Sequence, residues 1–430
     1  MKTPFCDALA PLLEKPARFY MPGHKGNPAA NPAFGGLLRY EITEIEGADD
    51  LSHPSGPLAE SQANMTAAYG SGATLYSAFG STSCILAMLA LFAEEGGPIV
   101  MVRGCHIAAV RGLAFLNLAP TWVWPQNGPP TANEIEAALA QRGAKTVYIT
   151  SPDYYGRMAD VNAIAGVCRR YGARLLVDNA HGAHLRFVGG NLHPLFQGAD
   201  ATCDSAHKTL PCLTPAALLH LKDAALAPAA RQALNLFSST SPSYLVLQSL
   251  DYTAGLLLEN RIPFETTAKT LAAAAAGSAH LLQHSDDPLK LCLVPWQGGY
   301  SAAQLEGALA DEGIVPELAD GTHVVLMVSP YNTEEDFARL KAALAKFPPR
   351  APLAAPRAVY PRPRAVCGVR QALFGPKQRL PVEQAEGRVA AGLVAPCPPG
   401  VPLVVPGEQI PPGLAPLLAA GGILELDVVK

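Results

Sequence analysis

From residue 98 onward, short apolar runs alternate with stretches of helical period. That alternation is the pattern of parallel strands joined by crossover helices, so an α/β sheet is expected. Pro98 to Val102 and Lys145 to Thr150 read as strands. The helix before the second begins at Thr131, with Glu134 three residues on, a capping box. Asp160 caps a helix that runs to Tyr171 and leaves at Gly172. A strand at Arg174 to Asp178 follows, then a short one near Ala201 to Cys203.

After residue 262 the pattern predicts an Ala-rich helix around Thr270 to Gln283 and a strand at Lys290 to Trp296. A helix from Ser301, strands near Ile314 to Glu317 and Val324 to Ser329, and a helix after Thr333 complete a smaller α/β unit. Pro348, Pro349, Pro352, Pro356, Pro361 and Pro363 disfavour helix and inner strand, which makes that stretch an extended linker. The expected organisation is an arm at 1–50, a large domain at 51–262, a small α/β domain at 263–347, a linker at 348–364 and a C-terminal domain at 365–430.

Composition narrows the function. Of 430 residues, 49% are apolar and 16% charged, which suits a packed core and excludes intrinsic disorder. Thirty-two basic against 36 acidic residues, with no basic block, argue against a nucleic-acid partner. Cys84 to Ala93, the longest apolar candidate, falls short of the roughly 18 residues of a membrane helix, so no membrane partner is expected. The N-terminus shows no secretion signal, and a cytoplasmic protein is expected. The 9 cysteines stand singly, against the usual zinc spacings and against a disulfide framework.

Three segments can carry chemistry. Gly80-Ser81-Thr82-Ser83 lies before an apolar helix beginning near Cys84, where free N–H groups and the positive end of the dipole suit a phosphate; an ordinary N-cap is the alternative. Asp178 puts a carboxylate at the carboxyl end of an expected parallel strand, where open α/β sheets bind ligands. His181 and His184 lack an evident third ligand, and Gly182 weakens any helix that would align them, so no metal is expected. In Asp204-Ser205-Ala206-His207-Lys208-Thr209, a lysine in partly buried surroundings has its charged form disfavoured and becomes able to form a Schiff base. Phosphate loop, strand-end acid and lysine, in that order, are what pyridoxal 5'-phosphate needs.

With those residues in view, the sequence resembles the Orn/Lys/Arg decarboxylases of the aspartate aminotransferase fold, in their short form. The matching stretches begin with Phe19 to Gly26 and Glu44 to Gly56. Ser151-Pro152-Asp153-Tyr154-Tyr155-Gly156, Leu176 to His184, Ser205 to Pro211 and Ser239 to Tyr244 continue them. Pro398 to Pro402 and Pro406-Gly407-Glu408 close the series.

The resemblance implies a type I fold of pyridoxal-phosphate-dependent enzymes: a mostly parallel central sheet, a smaller α/β domain and a C-terminal domain. It implies that Lys208 is the Schiff-base lysine and that Ser81, Thr82, Ser83, Ser205 and His207 lie by the phosphate. Asp178 would pair with the pyridine nitrogen, His106 would stack on the ring, Ala180 would pack on its other face and His181 would lie near the ring hydroxyl. The loop 239–244 would reach a partner subunit's site, so a homodimer is the smallest unit expected. The implied activity is decarboxylation of arginine, lysine or ornithine; transamination, β-elimination and a non-catalytic regulatory role are the alternatives.

Some positions depart from the family. Ile107 and Ala108 stand where Lys-Ser is usual, Asn179 where a glutamate often follows the aspartate, Gly392 for a common glutamate and Cys397 for a common tyrosine. If the missing carboxylate at 392 receives the substrate's distal cation, Glu383 and Glu386 are the candidates to replace it.

Overall fold

The short apolar runs become strands because most of them, Ala119–Val123 excepted, are buried along nearly their whole length. The computed structural model describes all residues except 15–16, 127, 356–361 and 396–401. Pro356 and Pro361 of the proline-rich segment, Cys397 and the stretch 398–401 therefore lie outside the described residues. In chain order the first seven strands are β1 (Ala73–Ser77), β2 (Pro98–Val102), β3 (Ala119–Val123), β4 (Thr146–Thr150), β5 (Arg174–Asp178), β6 (Ala201–Asp204) and β7 (Ala217–Leu221). The chain divides into two units, Met1–Leu91 with Leu175–Pro263, and Phe92–Arg174 with Phe264–Lys430.

In the first unit the strands stand in the order β1-β7-β6-β5. β5 and β6 are parallel, with Leu176 opposite Ala201, and β7 pairs antiparallel with both β6 and β1. Leu175, Leu176, Val177, Leu218 and Leu219 are fully buried, as expected of strands covered on both faces. Helices Pro4–Leu13, Pro57–Tyr69 and Tyr244–Leu258 pack on one another. Their contact requires glycine at 255: a Cβ there would stand 2.6 Å from Met1 Cγ and 2.9 Å from the Lys2 carbonyl.

In the second unit β2 lies between β4 and β3, parallel to both. Three of the five pairings within the units are thus parallel, the mostly parallel α/β arrangement expected. Thr131 and Glu134 form the capping box of helix Ala132–Arg142. Asp160 accepts from Ala163 N at 2.9 Å to start helix Val161–Tyr171, which ends on left-handed Gly172. An antiparallel sheet of Leu318–Ala319, Val324–Met327, Lys290–Leu293 and Leu282–Gln283 carries helices Ala302–Asp311 and Glu334–Ala345 on a core that includes Leu293, Leu305, Leu309 and Leu340. Past residue 363, Lys377–Pro381 pairs with Glu425–Val429 and Arg364–Ala365 with Glu408–Gln409.

Several boundaries differ from the expectation. Helix formation begins at Gly80, so Ser81, Thr82 and Ser83 form a first turn and do not precede the helix. The Ala-rich helix spans Phe264–Ala275, after which Ser278 leaves helical geometry. The strand expected to Trp296 stops at Leu293, because Pro295 opens a 3-10 turn. Pro316 has no N–H to pair, and the strand expected at Ile314 to Glu317 does not form; pairing begins only at Leu318–Ala319.

Arg103, just beyond β2, ties the C-terminal segment down. Its guanidinium makes two 2.9 Å bonds to Glu408 and a third to the Leu403 carbonyl, and its Cζ lies 4.9 and 4.6 Å from the ring centres of Trp122 and Trp124. Both partners of the ion pair are buried. Removing one partner of a buried pair leaves an uncompensated charge. Arg103→Ala is therefore expected to cost about 3–5 kcal/mol, read from the urea midpoint; a loss below about 1 kcal/mol, the scale of an exposed pair, would contradict this account.

Candidate active site

Two turns at the carboxyl ends of β5 and β6 carry most of the expected site. The first follows Asp178, which is buried and accepts from Ala180 N at 3.1 Å. Asn179 N donates to the Cys203 carbonyl, and Gly182 N donates back to the Asn179 carbonyl at 2.7 Å, closing the turn. The second turn runs from Asp204 through Ser205 into the short helix Ala206–Thr209. Ser205 N donates to the Ala180 carbonyl and so joins the two turns.

The side chains meet across that junction. Lys208 Nζ lies 2.9 Å from His181 Nε2. Ser205 Oγ donates to Ser81 Oγ at 2.9 Å, beside the first turn of helix Gly80–Phe92, where backbone N–H groups have no acceptor within the helix. His207 Nδ1 donates to the Ala216 carbonyl at 2.8 Å, and burial, with the Lys208 charge as a smaller contribution, lowers its pKa. Among these groups are a cation, a buried acid and a hydroxyl-lined helix end, a set suited to holding an amine and an anionic group at once.

Other expected residues are placed differently. Ser83 is buried, donates to the Gly80 carbonyl and lies 2.7 Å from Ser77 Oγ, so its hydroxyl is engaged inside the fold. Thr82 is half-buried on the same turn. Lys208, expected in partly buried surroundings, is exposed: the four-residue helix turns Ala206 and Thr209 inward and Lys208 outward. Its Nζ has His181 Nε2 as a neighbour. His106 belongs to the second unit, where it caps helix Ile107–Phe115 by accepting from Ala108 N at 3.2 Å.

Of the acids proposed to compensate for Gly392, Glu386 accepts from Gly413 N at 2.7 Å and is engaged in a backbone turn, while Glu383 is exposed. A carboxylate stands closer: a Cβ at 392 would lie 3.5 Å from Asp427 Cβ and 3.8 Å from Asp427 Oδ2.

Sequence reasoning missed the buried group behind the second turn. Asp204 is fully buried, accepts from Asn179 Nδ2 at 2.8 Å and from His193 Nε2 at 3.0 Å, and lies 3.2 Å from His220 Nε2. Burial alone would raise its pKa, but His193 and His220 outweigh burial and hold the carboxyl well below the usual range. The contributing residues come from three separate segments with no common spacing, so no local signal marks them.

Residues 3–274 match the Orn/Lys/Arg decarboxylase major domain and residues 364–419 the C-terminal domain of the same family. The chain belongs to the Orn/Lys/Arg decarboxylase family. It is 32% identical to the Bacillus subtilis protein YaaO, over 95% of this chain and 92% of that protein. It is 28% identical to an arginine decarboxylase of Bacillus cereus, over 94% and 96% of the two chains. Its fold matches the constitutive lysine decarboxylase of Escherichia coli with a TM-score of 0.78 and 19% identity, over 100% of this chain and 82% of that one. A structure described as SPT with PLP matches with a TM-score of 0.55 and 16% identity, over 67% and 77% of the two chains. The fold is that of the type I pyridoxal-phosphate enzymes. Within the described residues, no helix is long and apolar enough to cross a membrane.

The turn after β5 makes a strict demand on residue 182. A Cβ there would stand 2.1 Å from Asn179 Oδ1 and 2.6 Å from Leu185 Cδ1, inside the packed junction. Gly182→Ala should destabilise the protein by about 1–3 kcal/mol, the cost of overpacking, measured as a lowered urea midpoint. An unchanged midpoint would show that the turn rearranges freely.

Proposed function

We propose that the protein decarboxylates a basic amino acid, arginine, lysine or ornithine, with pyridoxal 5'-phosphate as cofactor. The observation that carries this reading is the junction of the two turns, with the Lys208 amine 2.9 Å from His181 and buried Asp178 on the neighbouring strand end. The donor set fits the cofactor: an amine for its aldehyde, a carboxylate for its ring nitrogen, and the Ser81 and Ser205 hydroxyls at a helix N-terminus for its phosphate. Two of the relatives above are named arginine decarboxylase and lysine decarboxylase, which supports the substrate class.

When bound, the cofactor supplies a carbonyl carbon for amines and a ring that withdraws electrons from the bond being broken. This chain's residues do the rest. His181 Nε2, 2.9 Å from Lys208 Nζ, would orient the amine toward the cofactor's carbonyl carbon. Asp178, shut away from water, keeps a proton on the ring nitrogen, because a negative partner favours the protonated form. Ser81, Ser205 and the first-turn N–H groups hold the phosphate. His207, anchored through Nδ1 to Ala216, presents Nε2 on the opposite side of its ring. Lys208 Nζ returns a proton to the carbon that has lost CO2.

We take the working unit to be a homodimer. Phe19 and Leu236, 98% and 76% exposed, are apolar surface of the kind that a subunit contact covers.

Purified protein mixed with pyridoxal phosphate should turn yellow and convert at least one of arginine, lysine and ornithine to its amine and CO2, identified by mass spectrometry. A keto acid product would indicate transamination, and no turnover of any of the three would favour a non-catalytic paralogue. Lys208→Ala should lose the visible band with its circular dichroism unchanged. Asp178→Asn should keep some cofactor and lose turnover by about 100-fold or more, the scale of a lost proton-holding group; equal turnover would leave Asp178 a structural role only.

A further inference from the structure

His193, Asp204 and His220 bring one carboxylate oxygen and two imidazole nitrogens within 4.8 Å, with all three side chains buried. That set has the composition of a metal site, but the hydrogen bonds contradict it. His193 Nδ1 accepts the Leu195 N–H at 3.3 Å, so the neutral ring carries its proton on Nε2, the atom that faces Asp204. An Nε2–H donates to a carboxylate and cannot ligate a cation. His220 is fixed from behind, its Nδ1 2.8 Å from Thr74 Oγ1, and burial lowers its pKa against the pull of Asp204. The Tyr69 ring closes over both imidazoles, 5.6 and 4.2 Å from their centres. The cluster is therefore a buried anion that accepts from Asn179 and His193, with His220 alongside.

The third contact of this anion leads to the candidate site. Asp204 Oδ1 accepts from Asn179 Nδ2 at 2.8 Å, which orients the amide and turns Asn179 Oδ1 toward Gly182. Asn179 stands next to Asp178 and two residues before His181; Asp204 stands four before Lys208. The bond thus links the turn that carries His181 to the turn that carries Lys208. A carboxylate at 179 would face the Asp204 carboxylate across the same gap, and the imidazoles that hold the anion lie on the Asp204 side. The departure at 179 then has a physical reason: this pocket already contains its negative charge at 204.

We infer that Asp204 and Asn179 are a coupled positioning pair that holds His181 against the Lys208 amine and admits a carboxylate at one of the two positions only. The inference rests on the reading of Lys208 as the cofactor lysine. Its test uses a property of Lys208 that exists without cofactor: the pH profile of acetylation at that amine by acetic anhydride, read by mass spectrometry. Asn179→Asp, Asp204→Asn and the double variant are compared in the full chain, with urea midpoints and pyridoxal phosphate uptake alongside.

Each folded single variant should shift the Lys208 profile by about one pH unit, a tenfold change in proton affinity. The double variant, in which the amide at 204 donates to the acid at 179, should recover at least half of that shift. Folded single variants with the wild-type Lys208 profile overturn the inference. If a single variant does not fold, a folded double variant supports the pairing, and a double as unfolded as the single overturns it. Wild-type protein that takes up no pyridoxal phosphate defeats the proposed function alone, because the acetylation profiles still decide the pairing.

Discussion

A carboxylate without water is the constraint around which the strand ends of the first unit are arranged. Moving an isolated carboxylate into a protein interior costs several kcal/mol even after relaxation, so each lone pair must find a donor. Asp204 meets that demand with Asn179 and His193, with His220 alongside. These partners come from the turn after β5, from the loop before β6 and from β7. One buried charge therefore fixes the relative position of three segments, and Lys208 follows it by a single helical turn.

The residues with local signatures were readable without the structure. Asp160 and Gly172 bracket a helix because a side-chain acceptor and a left-handed residue act within one turn of chain, and both ends were found. Asp178, Ser205 and Lys208 were readable because strand ends and the turns after them are punctuated by polar residues. β1, β3 and β7 were not anticipated. In β7 buried His220 interrupts the apolar run Ala217–Leu221, and the reason it is tolerated, Asp204, lies sixteen residues away. The same holds for Ser83, which looks like a phosphate ligand in sequence but has its hydroxyl engaged by Gly80 and Ser77. Glu386 likewise looks like a surface acid and serves a backbone turn. What was legible was chemistry whose partners are near in sequence.

The ion pair of Arg103 with Glu408 spans 305 positions of chain, and that separation has a consequence in time. At about 5–20 residues per second, the ribosome delivers Glu408 roughly 15 to 60 s after Arg103. Through that interval β2 and the loop leading to His106 exist with a guanidinium whose acceptors, Glu408 and the Leu403 carbonyl, have not been made. Trp122 and Trp124, about twenty residues behind Arg103, emerge almost at once and can shelter the cation while it waits. A nascent chain arrested shortly before residue 403 would thus carry β2 and the loop to His106 with the Arg103 guanidinium still lacking both acceptors.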